Sequence, residues 1–379
     1  MTEVHTLNTV LNHLKTQFVG KDELIDLLGI SLVAGENMFL LGPPGTAKSA
    51  IVRSLSASIE GGRNFDYLLT RFTEPNELFG PFDIRRLREG ELVTNTEGML
   101  PEASLVFLDE IFNANSAILN SLLMALNERV FRRGKETRSL PALMFVSASN
   151  SLPDDPALNA LLDRFLIRVR CDYVEPDRLG EVLLAGWQLN ANTHSTPADR
   201  PTVGPDALKL LQQQCRTVDL ADVRKPLIEL VHTLRNTGIS VSDRRAVKIQ
   251  NLLAASAILS GRTVAVTSDL WVLKYIWDTE EQVEVLAGIV DAVIEKDPDP
   301  QTHPRALAHQ RPNADELLAD VLALRTRWQS DVLPLAEQSV VKDKLRYLQT
   351  RAVWLANADH KGHIQTEIDD LWHTILQTL

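Results

Sequence analysis

Cysteine is almost missing from this chain: Cys171 and Cys215 are the two in 379 residues, and neither lies in a CxxC pair or at ligand spacing from a histidine. Neither a disulfide framework nor a zinc site is supported, and two reduced, buried thiols are expected. Long apolar runs are also missing. No stretch approaches the roughly 18 consecutive apolar residues of a spanning helix. Met1 to Lys15 carries Glu3, His5 and His13 where a secretory signal would have a basic end and an apolar run. The expected protein is soluble and cytoplasmic, with no membrane insertion. A basic excess is absent too, since 39 Lys and Arg stand against 50 Asp and Glu for a net charge of −11. That balance weighs against general affinity for nucleic acid or anionic lipid. A basic cluster stands at Arg85, Arg86 and Arg88.

What is present is ordinary globular composition: 44% hydrophobic, 23% charged, 18 Gly and 18 Pro. Collagenous, low-complexity and disordered classes therefore fail. At roughly 100 to 200 residues per domain, the length implies two to three domains.

Apolar residues recur at three and four from Val4 to Phe18 and from Glu23 to Val33, which predicts two amphipathic helices. Asn37 to Leu41 then reads as a short buried strand, and Lys48 to Ile59 as a helix. Further strands are expected at Phe65 to Leu69, Leu105 to Leu108, Leu143 to Ala148 and Leu166 to Val169. Continuous apolar strands alternating with helices predict an α/β fold with a parallel sheet covered on both faces. Phe72 to Ala103 reads as an insertion with a hairpin across Arg85 to Val93, centred on Glu89-Gly90. Asn190 to Pro205 has loop chemistry and suggests a domain boundary. Beyond it, helices are expected at Val223 to Leu234, Asp243 to Leu259 and Glu280 to Ile294, with Ser242 or Asp243 as an N-cap and Gly261 as a stop. Asp297 to Pro312, with four prolines, reads as a linker before three tail helices. Those carry Leu317, Val321, Leu324 and Trp328, then Val341, Leu345, Leu348 and Leu355, then Ile364, Ile368, Leu371, Ile375 and Leu379, a stripe expected to be core. The division expected is 1–190 for the α/β core, 191–296 for an all-α domain and 297–379 for a linker and helical extension.

The strongest chemical signal is Gly42-Pro43-Pro44-Gly45-Thr46-Ala47-Lys48-Ser49, after a strand and opening a helix, the context of a phosphate-binding P-loop. The backbone of Gly42, Pro44, Gly45, Thr46, Ala47 and on to Ala50 can wrap phosphates, its free amides donating to them. Lys48 would reach the β and γ phosphates, and the Ser49 hydroxyl would hold Mg²⁺. Ala47 stands where the general pattern has glycine. Leu105 to Glu110 is an apolar strand ending in two carboxylates, which would deliver Asp109 to the Mg²⁺ shell and leave Glu110 as general base toward water. Asn150 ends a third strand and could orient that water. Arg164, ending a short helix, could reach the nucleotide of a neighbouring subunit, or simply pair with Asp163 or Asp172. Of Arg244 and Arg245, about 100° apart at the start of a helix, one could fold back over the γ phosphate. Arg244 is preferred, and the choice stays open.

The set GPPGTAKS, LVFLDEI, SASN, LLDRF and VSDRR, in this order, resembles the AAA+ ATPases. Phe72 to Asp83 and Glu97 to Ala103 look like the MoxR branch, similar to RavA-type proteins, and the likeness runs from about Val4 to Val272. The resemblance implies a P-loop AAA+ sheet followed by an α-helical lid. It implies that Lys48 and Ser49 form Walker A, Asp109 and Glu110 Walker B, Asn150 sensor 1, Arg164 the arginine finger and Arg244 sensor 2. It also puts Val19 and Gly20 near the adenine, and implies that the stretch from Thr73 to Gly98 carries an extra helix-two insertion facing a central pore. The activity implied is ATP hydrolysis to ADP and phosphate, with ATP and Mg²⁺ bound at interfaces of a homo-oligomeric, hexameric ring that remodels a client protein. A separately encoded von Willebrand factor A protein is the implied partner. The alternative is a nucleic-acid motor or a nucleotide-gated scaffold; the charge opposes the first, and intact Asp109 and Glu110 oppose an inactive scaffold.

Overall fold

A computed structural model describes residues 2–133, 136–153, 155–192, 200–294, 305, 314–330, 335–352 and 358–377. The chain divides into two compact units, residues 1–174 with 180–306, and residues 175–179 with 307–379.

In the first unit, helices α1 (Thr2–Gln17) and α2 (Asp22–Ala34) precede β1 (Met38–Leu41), α3 (Lys48–Ala57) and β2 (Asn64–Leu68). Short helices α4 (Pro75–Phe79) and α5 (Ile84–Arg88) lead to β3 (Leu105–Asp109) and α6 (Ser116–Glu128). Then come β4 (Val130–Arg133), β5 (Glu136–Ser139), β6 (Met144–Ser149), α7 (Pro156–Leu162) and β7 (Ile167–Arg170). Strands β2-β3-β6-β1-β7 form one sheet, parallel throughout. β1 sits between β6 and β7, with Leu41 level with both Ser149 and Arg170. The inner strands read as unbroken apolar runs because both faces are covered, with all of β1 and β6 buried, whereas the edge strand β2 exposes Asn64, Asp66 and Leu68. With every strand running the same way, the segments leaving Leu41, Asp109, Ser149 and Arg170 emerge along one edge.

The helical part of this unit contains α8 (Leu179–Asn192), α9 (Pro205–Cys215), α10 (Ala221–Asn236), α11 (Asp243–Leu259), a 3-10 segment at Thr267–Tyr275 and α12 (Gln282–Ile294). Ser242 caps α11, its Oγ accepting from the Arg245 amide at 3.2 Å, which satisfies an otherwise orphaned N–H. Its residues and those of the sheet layers join in a single hydrophobic core, from Leu7 and Phe39 to Trp271 and Trp277.

Two expectations need correction. The stretch Arg85 to Val93 is not a two-stranded hairpin. Asp83 N donates to Val93 O at 2.8 Å and Asn95 N to Pro81 O at 2.8 Å, forming a short antiparallel stem, but the tip is α5. The Asp83 carboxylate accepts from Arg85 N at 2.8 Å, starting a helical turn in place of a strand. The loop read into Asn190 to Pro205 is also shorter, since α8 runs to Asn192 and Pro205 opens α9, where proline's missing N–H is harmless; residues 193–199 lie outside the described set. The β4–β5 hairpin was not anticipated. Its strands are too polar to alternate cleanly, and Arg133 holds it by stacking 3.9 Å over the Phe82 ring and donating to Gly80 O at 2.7 Å.

The second unit contains α13 (Ala314–Ser330), α14 (Leu335–Ala352) and α15 (Ala358–Gln377), with a core of its own around Leu317, Val321, Val341, Leu345, Ile364, Ile368 and Leu371. The tail stripe is thus core, as expected; Leu355, Leu379 and the linker read at 297–312, apart from Arg305, lie outside the described residues. Leu345 is fully buried. Leu345→Ala removes a core side chain and is expected to destabilise this bundle by about 2–5 kcal/mol. Hydrogen exchange should speed up across α13 to α15 and stay unchanged in β1, β3 and β6.

Candidate functional site

The loop between β1 and α3 turns back immediately after Leu41. Gly42 N donates to Ser149 O at 3.2 Å and Cys171 N to Leu41 O at 2.7 Å, so the loop is clamped between the ends of β6 and β7. A Cβ on Gly42 would lie 2.2 Å from the Cys171 carbonyl oxygen, which excludes every other residue. Thr46 Oγ1 donates to Pro43 O at 3.0 Å and closes the loop on itself. Ala47 then takes a left-handed φ of 66° and hands the chain into α3. That conformation explains the glycine of the general pattern.

Lys48 is buried, its Nζ donating to Gly42 O at 2.5 Å and Pro43 O at 2.9 Å. The ammonium therefore sits inside the loop, beside the N-terminus of α3, where free amides and the helix dipole favour an anion. One residue on, Ser49 Oγ donates to Asp109 Oδ2 at 2.8 Å, joining the start of α3 to the end of β3. Glu110 follows in a left-handed conformation, φ 52°, an uncommon state for a residue with a Cβ. It turns the carboxylate toward β6, where Asn150 Nδ2 donates to Glu110 Oε1. Desolvation, then the neighbouring Asp109 charge, raise the Glu110 pKa, while Lys48 and the Asn150 bonds oppose the rise.

Lys48, Ser49, Asp109, Glu110 and Asn150 are thus gathered on the carboxyl edge of the sheet. Val19 and Gly20 form the corner between α1 and α2. Lys21, next to them, donates through Nζ to Asp172 O at 2.5 Å, tying this corner to the segment after β7. Burial lowers the Lys21 pKa, and the like charge of Lys48 adds to the lowering. Tyr173 Oη donates to Pro44 O at 3.3 Å. Lys21 and Tyr173 carry no motif, and Asp172 enters the sequence only as a possible partner of Arg164; the usable signal for Asp172 and Tyr173 is that they follow the end of β7, where ligands of open α/β sheets gather, and for Lys21 that it adjoins Val19 and Gly20. Burial pushes the Cys171 thiol up to about 12, so it stays protonated as expected.

Arg164 and Arg244 lie elsewhere. Arg164 O accepts from Asn37 Nδ2 at 3.1 Å, and Asn37 stands just ahead of β1, so Arg164 occupies the amino edge. A four-residue strand separates that edge from the loop, roughly 13 Å at about 3.3 Å per residue. Arg164 pairs with Asp163 at 3.4 Å. Arg244 Nη2 donates to Asn127 Oδ1, and the neighbouring Leu126 O accepts from Asn37 Nδ2 at 3.2 Å, which puts Arg244 on the same edge. It does not fold back over the loop of its own chain: Lys248 Nζ, later in α11, donates to Glu36 Oε2 at 2.6 Å and holds the helix to the amino edge. Arg245 is buried and bonded to Asp278, Ile276 O and Ser240 O, which leaves Arg244 as the exposed member of the pair.

Residues 5–213 match the family described as the MoxR domain in the MoxR-vWA-beta-propeller ternary systems, and residues 219–290 match an AAA lid domain. An uncharacterized protein of Methanocaldococcus jannaschii is 33% identical over 299 residues, 78% of this chain and 77% of that one. The chaperone MoxR1 of Mycobacterium tuberculosis is 29% identical over 185 residues, 48% of each chain. The crystal structure of a Cytophaga hutchinsonii protein assigned as an ATPase superposes with a TM-score of 0.63 at 19% identity, over 78% of this chain and 95% of that one, a likeness of fold.

Two outcomes follow from the geometry. Ala47→Gly relieves a left-handed alanine at the cost of unfolded-chain entropy, and a net gain of about 0.5–1 kcal/mol is expected by urea denaturation. Glu110 binds its proton more tightly in the folded state than in the unfolded one, so its ionised form costs stability at neutral pH, and the cost vanishes as pH falls through the raised value. Nucleotide-free Glu110→Gln should therefore melt above the parent at neutral pH, with the difference closing in acid.

Proposed function

The chain belongs to the MoxR family of AAA+ ATPases, and on that premise we propose that it hydrolyses ATP to ADP and phosphate at the boundaries between subunits of a ring. The observation that carries this reading is the division of the site across two edges. The phosphate loop, Asp109, Glu110 and Asn150 stand on one edge, and Arg164 and Arg244 on the other, so a complete site needs the amino edge of a neighbour.

The chemistry assigned to each residue follows from its place. Lys48 exchanges its two loop carbonyls for the β and γ phosphates, and the amides from Gly45 to Ala50 bind phosphate oxygens at the helix terminus. Val19 and Gly20 border the adenine. The Ser49 hydroxyl and the Asp109 carboxylate, already 2.8 Å apart, are the hard oxygen donors that Mg²⁺ prefers, with phosphate and water completing the shell. Mg²⁺ held there would neutralise phosphate charge. Glu110 takes the proton of the attacking water, its raised pKa bringing it closer to the working pH, and Asn150 fixes the orientation of its carboxylate. The neighbour's Arg164 and Arg244 meet the charge that develops on the γ phosphate.

In this reading residues 1–190 form the motor, 191–296 the lid and 297–379 a helical extension. The ring is a hexamer in the cytoplasm, and ATP turnover moves lid against core to remodel a client protein. The family description and the chaperone named among the relatives support that role, with a von Willebrand factor A protein as the partner. The reading is tested by mixing variants. Lys48→Ala should abolish ATP binding. Arg164→Ala and Glu110→Gln should each bind ATP and turn it over about 10³-fold more slowly or worse. Mixed together, they should recover activity, because a Glu110 of one subunit then meets an Arg164 of another; no recovery would refute action between subunits.

A further inference from the structure

Arg168 is an anomaly of the sheet. It lies in the middle of β7, level with Phe39 of β1, and its side chain is 1% exposed. A guanidinium is almost never buried so fully without partners. Its Nε donates to Phe165 O at 3.2 Å and its Nη2 to Leu162 O at 3.1 Å, while Nη1 donates to Trp277 O and to Asp278 Oδ1. The first two bonds brace the turn between α7 and β7, and Arg164 is in that turn. Asp278 also receives Arg245, whose Nη1 lies 2.9 Å from Oδ1 and 3.1 Å from Oδ2. Arg245 is in the first turn of α11, immediately after Arg244. The Asp278 amide in turn donates to Gln282 Oε1 at 2.8 Å, which fixes the carboxylate to the start of α12.

We propose that Asp278 is a positioning residue that sets both amino-edge arginines, Arg164 through Arg168 and Arg244 through Arg245, for the nucleotide of a neighbouring subunit. The proposal rests on the two-edge reading given above. One carboxylate between two guanidiniums makes the turn and the helix start move as a unit, because neutralising it leaves two like charges facing each other in a buried place. The same conclusion is visible from the far side of the junction: Asn37 Nδ2 bonds both Arg164 O and Leu126 O, and Arg244 bonds Asn127, so the two arginines converge on one short stretch of edge. Burial and the like charge of Arg245 lower the Arg168 pKa, and Asp278 opposes this.

The full chain carrying Asp278→Asn separates positioning from simple bracing. ADP affinity, read by calorimetry, should stay within about twofold of the parent, because Lys48 and the loop stand on the opposite edge, while kcat for ATP falls about 10- to 100-fold as the arginines shift. Adding Asp278→Asn to the Arg164→Ala, Arg244→Ala double variant should cost no further activity. A lower melting temperature with parental kcat well below the melt would overturn the proposal. Should Asp278→Asn not fold, Arg245→Lys, which keeps the charge and loses the forked contact, carries the same expectation, and parental kcat there is equally fatal. If Arg164→Ala and Arg244→Ala themselves keep parental kcat, the two-edge reading falls and takes the proposal with it; if they are slow and Asp278→Asn is fast, the proposal alone falls.

Discussion

The contact between Gly42 and the Cys171 carbonyl is the constraint on which the site depends. β1 lies in the interior of the sheet, so its outgoing chain must pass between the ends of β6 and β7, and there is no room for a side chain at the first step. Forced to turn at once, the loop brings Lys48 back over its own carbonyls and aims the start of α3 at the end of β3. The Ser49–Asp109 bond follows from that placement. So does the position of Glu110, whose left-handed backbone swings it toward Asn150 on the next strand.

The opposite edge is organised by charge in place of backbone. Glu36, Asn37, Arg129 and Lys248 form a polar layer ahead of β1: Arg129 donates to Gly35 O at 3.1 Å and Asn37 Oδ1 at 2.8 Å, and Lys248 to Glu36. Burial, opposed by Glu36, brings the Arg129 pKa down to about 10, which still leaves it charged at neutral pH. In the Lys248–Glu36 pair the carboxylate is buried and the ammonium partly exposed, so losing the lysine leaves a buried charge short of a partner and penalises any other placement of α11. The same logic applies within the helical part, where Asp269 is fully buried yet held by Ser256 and Arg262.

Much of this was legible in the residues. The inner strands β1, β3 and β6 were found because both faces of the sheet are covered there and their sequences are unbroken apolar runs. The loop, Asp109, Glu110 and Asn150 were found because each stands at the end of such a run. The β4–β5 hairpin was not, since polar strands held by one arginine over Phe82 have no period to detect. The helical tip at Ile84–Arg88 was mistaken for strand because Glu-Gly is a turn signal in either case, and the deciding Asp83 cap is a contact of geometry.

The sequence by itself determined the order of strand, loop and helix, the identity of the groups that can meet phosphate, and an amphipathic tail that must bury its own stripe. These are local properties, set by period, by glycine and by the chemistry of single side chains. Only the tertiary structure decided which edge each group occupies. Arg244 and Arg245 are adjacent and identical in chemistry. One is committed to Asp278 and the other is left exposed on the amino edge, because a carboxylate 33 residues away and an arginine in β7 converge on the same half-buried point. Long-range partners of that kind leave no spacing in the chain, and it is they that leave Arg244, not Arg245, exposed.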